Sequence, residues 1–530
     1  MSQKLHSYKA ESYAGIYSLH KYWSKKPHNI ISNLIKKYSE KGDIVLDSFL
    51  GSGISVIEGI TLGRKLIGID INPAAVFITR QLISKVDVNK LSEVFKKIEE
   101  NVKDEINSFY QVNSNGKNYV ASHFIWNDTD LNEVWYKNGE PRLTKRRATL
   151  KDKQLAKSFS LKSIRNFFPK GQLFENARIN VKKGDKISNL FSPRNLKAIS
   201  LINNQIELIE DESIKNILMF GFTSILGQAS KMVFVIKKKI NKKDGKKINR
   251  ECKSVGSWVI GYWKPQEHFE INVWSSFERK FNKILKIKKE QEENLVLIKE
   301  RKSFKSLRNS KDGYLLVNKP AQKVLKKIPA NSIDYVITDP PHGDRIPYLE
   351  LSQMWNSWLK KEVNFKDEII ISSSKERNKT FKNYNRLLNN VFKEIFRVLK
   401  PGKKFTLMFN SLDDDTWINI IRTLNTIGFQ LKKIETLSYS SNSVVQDNRE
   451  TGLKTDFVLT YEKTTTEPKS IELLNGYDGE QLLNELINKF TAEDKQIERY
   501  EILNNLFFEL LKKNRFFKLS QALKLIENLN

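Results

Sequence analysis

Cysteine is nearly absent. One residue, Cys252, occurs in 530, which excludes an intrachain disulfide and a cysteine-rich zinc cluster. Long apolar runs are missing too. Nothing approaches the ~20 residues needed to span a bilayer, and the opening segment MSQKLHSYKAESYAG has no apolar stretch of signal-peptide type. Acids are in short supply, 61 Asp and Glu against 91 Lys and Arg, for a net charge of +30. A surplus of that size points to a polyanionic partner, nucleic acid before an anionic membrane surface. There is no internal repeat, and no low-complexity tract beyond short lysine runs. What is present suffices for a core: 39% hydrophobic and 11% aromatic residues exclude uniform disorder. At ~150 residues per domain the length suggests about three domains. The chain reads as a soluble, intracellular protein.

Order along the chain supplies the fold class. Residues 44–48 (IVLDS) read as a short buried strand, followed by the turn Phe49-Leu50-Gly51-Ser52-Gly53 and a helix over 54–62 that Gly63 stops. A second strand, 65–69, is closed by Asp70, and Asn72-Pro73 opens another helix. Strand, glycine turn, helix and strand with a terminal acid make half of a doubly wound α/β sheet. The same texture returns only at 314–317 and 333–338, then in a helix near 383–399 that Pro401-Gly402 stops, and in strands near 405–409, 430–436 and 456–461. Between the halves lies an insertion of different composition. Residues 141–190 hold fourteen Lys and Arg against three acids, and 231–253 hold ten against two. Phe159, Phe167, Phe168 and Phe174 are interleaved with them. Helical apolar spacing appears over 193–210 and 213–229, with a charged helix near 274–303. Beyond 465 the pattern is helical.

Two constellations carry chemistry. In the first, Asp47, the glycine turn and Asp70, seventeen residues beyond Gly53, are spaced for an adenosine-containing cofactor. Glycines let the backbone approach a ligand closely, and an acid ending the second strand can accept from both ribose hydroxyls. The second is Asp339-Pro340-Pro341-His342, closing a strand. Two prolines fix the backbone and remove two N–H donors. What remains is a rigid arc of acceptors suited to an exocyclic amino group, with a flat side chain in fourth position that can stack on a base.

Together these resemble the S-adenosylmethionine-dependent DNA amino-methyltransferases, which modify adenine N6 or cytosine N4. Phe49–Gly53 matches that family's cofactor turn and Asp339–His342 its target-amine element. The stretch 20–27 (HKYWSKKP) looks like the motif before the first strand, 68–73 (GIDINP) like the second-strand motif, and 399–402 (LKPG) like the turn before the fifth strand. The covered chain is about 15–105 plus 314–462. The resemblance implies a Rossmann-like class I methyltransferase fold with S-adenosylmethionine as cofactor and no metal. It places the cofactor on Tyr22, Lys25, Lys26, Pro27, Asp47, Phe49, Gly51, Ser52, Gly53, Asp70, Ile71 and Asn318. Asp47 and the 25–27 segment fall to its methionine end. Cofactor motif, long insertion, then amine motif is similar to the family's alpha group, where the insertion recognises the target. The expected organisation is therefore 1–105 for the first half of the methyltransferase domain, 106–310 for a basic recognition region, 311–464 for the second half and 465–530 for a helical extension. Double-stranded DNA is the expected partner, gripped by Arg142, Lys145, Arg146, Arg147, Lys237, Lys238, Lys239 and Arg345. Arg345 equally fits a pair with Asp344. No membrane is involved, a cognate restriction enzyme is a possible companion, and the location implied is the bacterial cytoplasm, on the nucleoid.

His342 and Asn318 depart from the family pattern, since Tyr or Phe is commoner at the first position and an acid at the second. Cytosine-C5 chemistry is disfavoured, because it needs a thiolate nucleophile and Cys252 lies outside any Pro-Cys pair. An Asp in first place resembles adenine-specific members more than cytosine-N4 enzymes. The alternatives are an N4-cytosine enzyme, an RNA guanine-amino methyltransferase, and a DNA-binding protein on a methyltransferase scaffold that has lost its activity.

Overall fold

The computed structural model describes residues 6–243, 246–258, 261–294, 298–343, 346–411, 413–438, 456–465, 471–491 and 499–527. In chain order, β1 (His6–Lys9) precedes the helix His28–Tyr38, then come β2 (Ile44–Asp47), the helix Ile54–Thr61, β3 (Lys65–Asp70) and the helix Pro73–Ile83. The long helix Val88–Ser108 leads into β4 (Gln111–Ser114), β5 (Lys117–Asn127), β6 (Asp130–Tyr136) and β7 (Thr144–Arg147). Two helices, Pro193–Glu207 and Glu212–Ile225, precede β8 (Val233–Lys243), β9 (Lys246–Trp258) and β10 (Glu267–Ile271), and the helix Val273–Asn294 follows. The chain then returns through β11 (Tyr314–Asn318), β12 (Ile333–Thr338), the helices Tyr348–Trp358 and Phe381–Val398, β13 (Leu399–Phe409), the helix Asp414–Thr426, β14 (Phe429–Ser438) and β15 (Asp456–Lys463). It ends with β16 (Glu472–Leu473), β17 (Arg515–Phe516) and three helices, Gly476–Thr491, Arg499–Lys512 and Leu519–Glu527.

Eight strands form the main sheet in the order β1-β14-β15-β13-β12-β2-β3-β11. β11, β3, β2, β12 and β13 are parallel, and β15 runs against both neighbours. This is a Rossmann-like, doubly wound arrangement. From β2 the chain winds outward through β3 to β11, then restarts on the other side at β12. The strand order therefore reverses between β2 and β12, and a crevice opens outside their carboxyl ends, where such sheets bind ligands. β2 and β12 are buried at every position, as expected of central parallel strands covered on both faces. The flanking helices follow local rules. Asn72 accepts the Ala74 N–H to cap Pro73–Ile83, with Pro at its first position. Thr380 caps Phe381–Val398, whose Tyr384, Leu388, Val391, Phe392 and Ile395 face inward.

Several expectations need correction. The insertion is not only helical and basic: it holds a seven-stranded sheet, β7-β6-β5-β10-β8-β9 with β4 paired to β5. Its helices share one core with the helix Tyr348–Trp358, where Phe222 meets Trp358 edge-on and Trp258 meets Trp355. Pro401-Gly402 does not separate helix from strand. β13 already begins at Leu399, with Gly402 at φ +74 and a register shift against β12 absorbing the turn. The charged helix is described over Val273–Asn294, and residues 298–303 are not helical, short of the expected end near 303. β1, unforeseen, adds a parallel edge strand to β14. The C-terminal helices pack against the sheet's far layer, with Phe507 between Trp417 and Phe457 at 4.6 Å from each ring. Among the described residues no helix is long and apolar enough to cross a membrane.

Candidate active site

The crevice at the β2/β12 switch point is a cleft with roughly 900 Å³ of empty space, open solvent at its mouth included. The turn after β2 builds one wall. Gly51 and Gly53 have φ of +52 and +80, and a Cβ on Gly53 would sit 2.3 Å from Thr79 Oγ1, so only glycine fits there. Asp47 organises this turn. It accepts from the Phe49 N–H (3.0 Å), Ser55 Oγ (2.5 Å) and Thr338 Oγ1 (2.8 Å). The last contact ties the turn directly to the strand that carries the second motif. Burial pushes the Asp47 carboxyl up to about 6, opposed by those hydrogen bonds.

Asp70 ends β3 with each oxygen held by a backbone donor, Gly51 N–H and Asn72 N–H, both at 2.8 Å. Burial pushes it up to about 7 against those bonds, with Asp47 and Glu368 adding repulsion. A carboxylate fixed in place yet under-solvated is suited to accepting two further donors from a ligand.

Phe49, Gly51, Ser52, Ile71, Tyr22 and Lys26 line the cleft with the two acids. Tyr22 flanks Gly51 and accepts from Asn72 Nδ2 at 3.1 Å. Four other expected cofactor residues do not line it, the first being Gly53, which packs against Thr79. Lys25 turns back on its own segment, donating to Tyr17 O (2.8 Å) and His20 O (2.6 Å). Pro27 caps the helix His28–Tyr38. Asn318 donates to the Asp70 and Ile71 carbonyls at 3.0 Å, so it braces the end of β3; Pro320, Ala321 and Gln322 line that wall instead.

Asp339, Pro340, Pro341 and His342 follow β12 at the same end of the sheet, and of the four only Pro341 lines the cleft. Tyr384 OH donates to Pro341 O at 2.5 Å, which rigidifies the arc and leaves the Pro340 carbonyl as an acceptor. The His342 side chain is only 11% exposed. Its Nε2 lies 2.9 Å from Asp339 Oδ1 and its ring meets Phe409 edge-on. In this conformation it does not offer the open stacking face expected of it, because its ring nitrogen is drawn to the acid three residues earlier. Tyr348, which the sequence reading missed, lines the cleft and lies nearly parallel to Tyr22, their centroids 6.2 Å apart. Lys26 sits 3.2 Å from Asp339 and 2.6 Å from Asp456, another acid not singled out. Nothing local to 348 or 456 signals these roles; only the fold brings them in.

The expected DNA contacts separate. Arg142, Arg147 and Lys238 are exposed. Lys145 is exposed too, but its ammonium lies 3.6 Å from the centroid of the Trp135 ring and bonds Lys253 O. Lys237 pairs with Glu267 at 2.5 Å. Arg146 is a correction: it chelates Asp152 (2.6 and 3.1 Å), which is itself locked in a capping box with Thr149. That makes it an internal brace, not a phosphate contact. Lys239 lies on β8, and Arg345 falls outside the described residues. Among the described residues no cluster of metal-binding side chains occurs.

Fold and geometry thus give a Rossmann-like chain whose switch-point crevice is lined by Asp47, Asp70 and Pro341. Comparison with known proteins agrees. Residues 2–81 match the model of the N6/N4 methyltransferase family, described as DNA methylase, the same family the motifs resemble. The chain is 30% identical over 79 residues to the Type II methyltransferase M.MjaII of Methanocaldococcus jannaschii, 15% of each protein. It is 33% identical over 102 residues to the Type II methyltransferase M.BsoBI of Geobacillus stearothermophilus, 19% of this chain and 20% of that one. The matches therefore span a fifth or less of these relatives. A crystal structure of a DNA modification methylase from Thermus thermophilus, titled as putative and complexed with S-adenosyl-L-methionine, aligns over 32% of this chain and 60% of that one, at 14% identity and a TM-score of 0.17.

Proposed function

We propose that this chain is a site-specific DNA methyltransferase that transfers a methyl group from S-adenosylmethionine to the exocyclic amine of a flipped-out base, adenine N6. One observation carries the reading. Asp70 and Pro341, far apart in sequence, line the same crevice at the β2/β12 switch point, and Asp47 in its wall accepts from Thr338, the residue just before Asp339. The residues present fit the cofactor. Asp70 is poised for ribose hydroxyls, and apolar Leu50, Ile71 and Ile337 line the cleft. S-adenosylmethionine supplies an activated methyl group, so the protein's task is positioning. Asp339 and the Pro340 carbonyl accept the amine protons, which favours a tetrahedral nitrogen with its lone pair toward the methyl. Transfer would leave S-adenosylhomocysteine and a cationic methylated amine, whose extra proton would pass to solvent. A base paired in a duplex must first leave the stack.

Adenine is preferred because Asp, not Ser, stands first in the arc, which resembles adenine-specific members of the family. The Type II names of the relatives support a place beside a restriction enzyme, and the exposed Arg142, Arg147 and Lys238 support contact with DNA phosphates. Methylation-aware sequencing of DNA from cells expressing the chain tests this. N6-methyladenine at one recurring sequence is expected. N4-methylcytosine would correct the base, methylated RNA alone the substrate, and no modification would favour a binding protein.

A further inference from the structure

We propose that Asp456 is a positioning residue. It holds Lys26 so that the lysine steadies Asp339 without occupying it. The proposal rests on the amine-methylation reading above. Three remote segments meet here for a topological reason. β15 runs antiparallel to β13, so its first residue, Asp456, lies at the same edge of the sheet as the carboxyl end of β12, where Asp339 stands. Lys26 enters from the segment before the helix His28–Tyr38. The Lys26 side chain is 7% exposed, and its Nζ lies 2.6 Å from Asp456 Oδ2 but 3.2 Å from Asp339 Oδ2.

Both Asp339 oxygens therefore have a partner, His342 Nε2 on Oδ1 and Lys26 on Oδ2. A substrate amine needs one of them. A buried lysine whose sole acid was Asp339 would make a short, charge-assisted bond and withhold that oxygen. With Asp456 as the nearer acid, the Lys26–Asp339 contact is the longer and weaker one, and a substrate N–H can displace it while Lys26 stays neutralised. Lys26 also separates two carboxylates that share its ammonium and would otherwise repel. Tyr13, Tyr348, Tyr384, Asp47 and His342 are titratable groups that also face this cluster.

The test uses the full chain with duplex DNA, and cofactor affinity is read separately by calorimetry. Asp456→Asn should lower kcat by roughly 10- to 100-fold, the size of one charge-assisted hydrogen bond gained by the wrong pair, with cofactor affinity unchanged. Adding Lys26→Met to Asp456→Asn should then raise kcat above that of Asp456→Asn alone, because the clamp on Asp339 is gone. Lys26→Met alone should lower kcat, because Asp339 is no longer steadied, and Lys26→Arg should restore it. A double variant slower than Asp456→Asn, or cofactor binding lost in parallel with kcat, overturns the proposal. Thermal-stability double-mutant cycles read the same hierarchy without turnover. Coupling of Lys26 to Asp456 should exceed its coupling to Asp339, and the reverse order overturns the proposal. A wild-type chain with the expected couplings that transfers no methyl group overturns the methylation reading and upholds the ion-pair order.

Discussion

Replacing Asp70 by asparagine separates two demands made on one carboxylate. Burial holds it at about 7, against an ordinary value of 3.8. A raised folded-state pKa means that the folded protein binds more protons than the unfolded chain between these values. Stability from this group is thus fully present below about pH 4 and is lost as pH rises toward 7. A shift of about 3 units at ~1.36 kcal/mol each leaves a burden of about 4 kcal/mol on the ligand-free protein at pH 8. Asparagine removes that burden but leaves Gly51 or Asn72 N–H short of an acceptor, at ~1–3 kcal/mol. The variant should therefore be more stable than wild type at pH 8, by roughly 1–3 kcal/mol on the same terms. The advantage should shrink by about 2–3 kcal/mol on going from pH 8 to pH 5. Cofactor binding should move the other way, weakening by ~1.5–3 kcal/mol with the loss of charge-assisted bonds. Thermal melts at the two pH values and calorimetric titration with S-adenosylmethionine check both. A variant less stable than wild type at pH 8, or one that binds the cofactor equally well, would refute the role given to Asp70.

Further outcomes follow from the same geometry. Wild-type cofactor affinity should rise with pH through about 7 and level off above it, as Asp70 ionises; a flat titration curve would remove the carboxylate from the site. Asp339→Ala should abolish turnover while leaving cofactor and duplex binding largely intact, measured by transfer and binding assays on one preparation. His342→Phe should retain more activity than His342→Ala if the ring's surface matters, whereas equal loss in both would assign the work to its bond with Asp339. DNA affinity should fall linearly with log salt at a slope of about −0.9 per phosphate neutralised. Charge reversal at Arg142, Arg147 and Lys238 should flatten the slope, while Arg146→Glu should chiefly destabilise the Asp152 cap.

Much of the sheet was legible because its signals are local. β2, β3 and β12 are apolar runs ended by Asp47, Asp70 and Asp339, and each lies beside a turn that glycine or proline dictates. Asp47 and Asp70 line the cleft for the same reason: a residue closing a parallel strand must face the switch point. The insertion's sheet was missed because its strands read as charge. Lys117–Asn127 and Asp130–Tyr136 do not alternate cleanly, because two register shifts between them break the period of two. The charges there are partly spent internally, Lys253 on Glu133 and Glu267, Arg146 on Asp152, and such pairing is set by strand register, not spacing along the chain. Lys26, Asp456 and Tyr348 lay beyond reach for a similar reason. Their partners come from segments hundreds of residues away, joined only once β15 turns back against β13. Asn318 was expected at a cofactor ring but braces β3, since its short amide finds two carbonyls before it can reach the cleft.

The most direct test of the account is methyl transfer itself. Purified chain, labelled S-adenosylmethionine and duplex DNA are incubated, the DNA is digested to nucleosides, and the labelled base is identified. The account predicts label in N6-methyladenine with wild type and none with Asp339→Ala, although both proteins bind the cofactor. Label that persists in Asp339→Ala, or wild-type protein that binds cofactor and duplex yet transfers nothing, would contradict it.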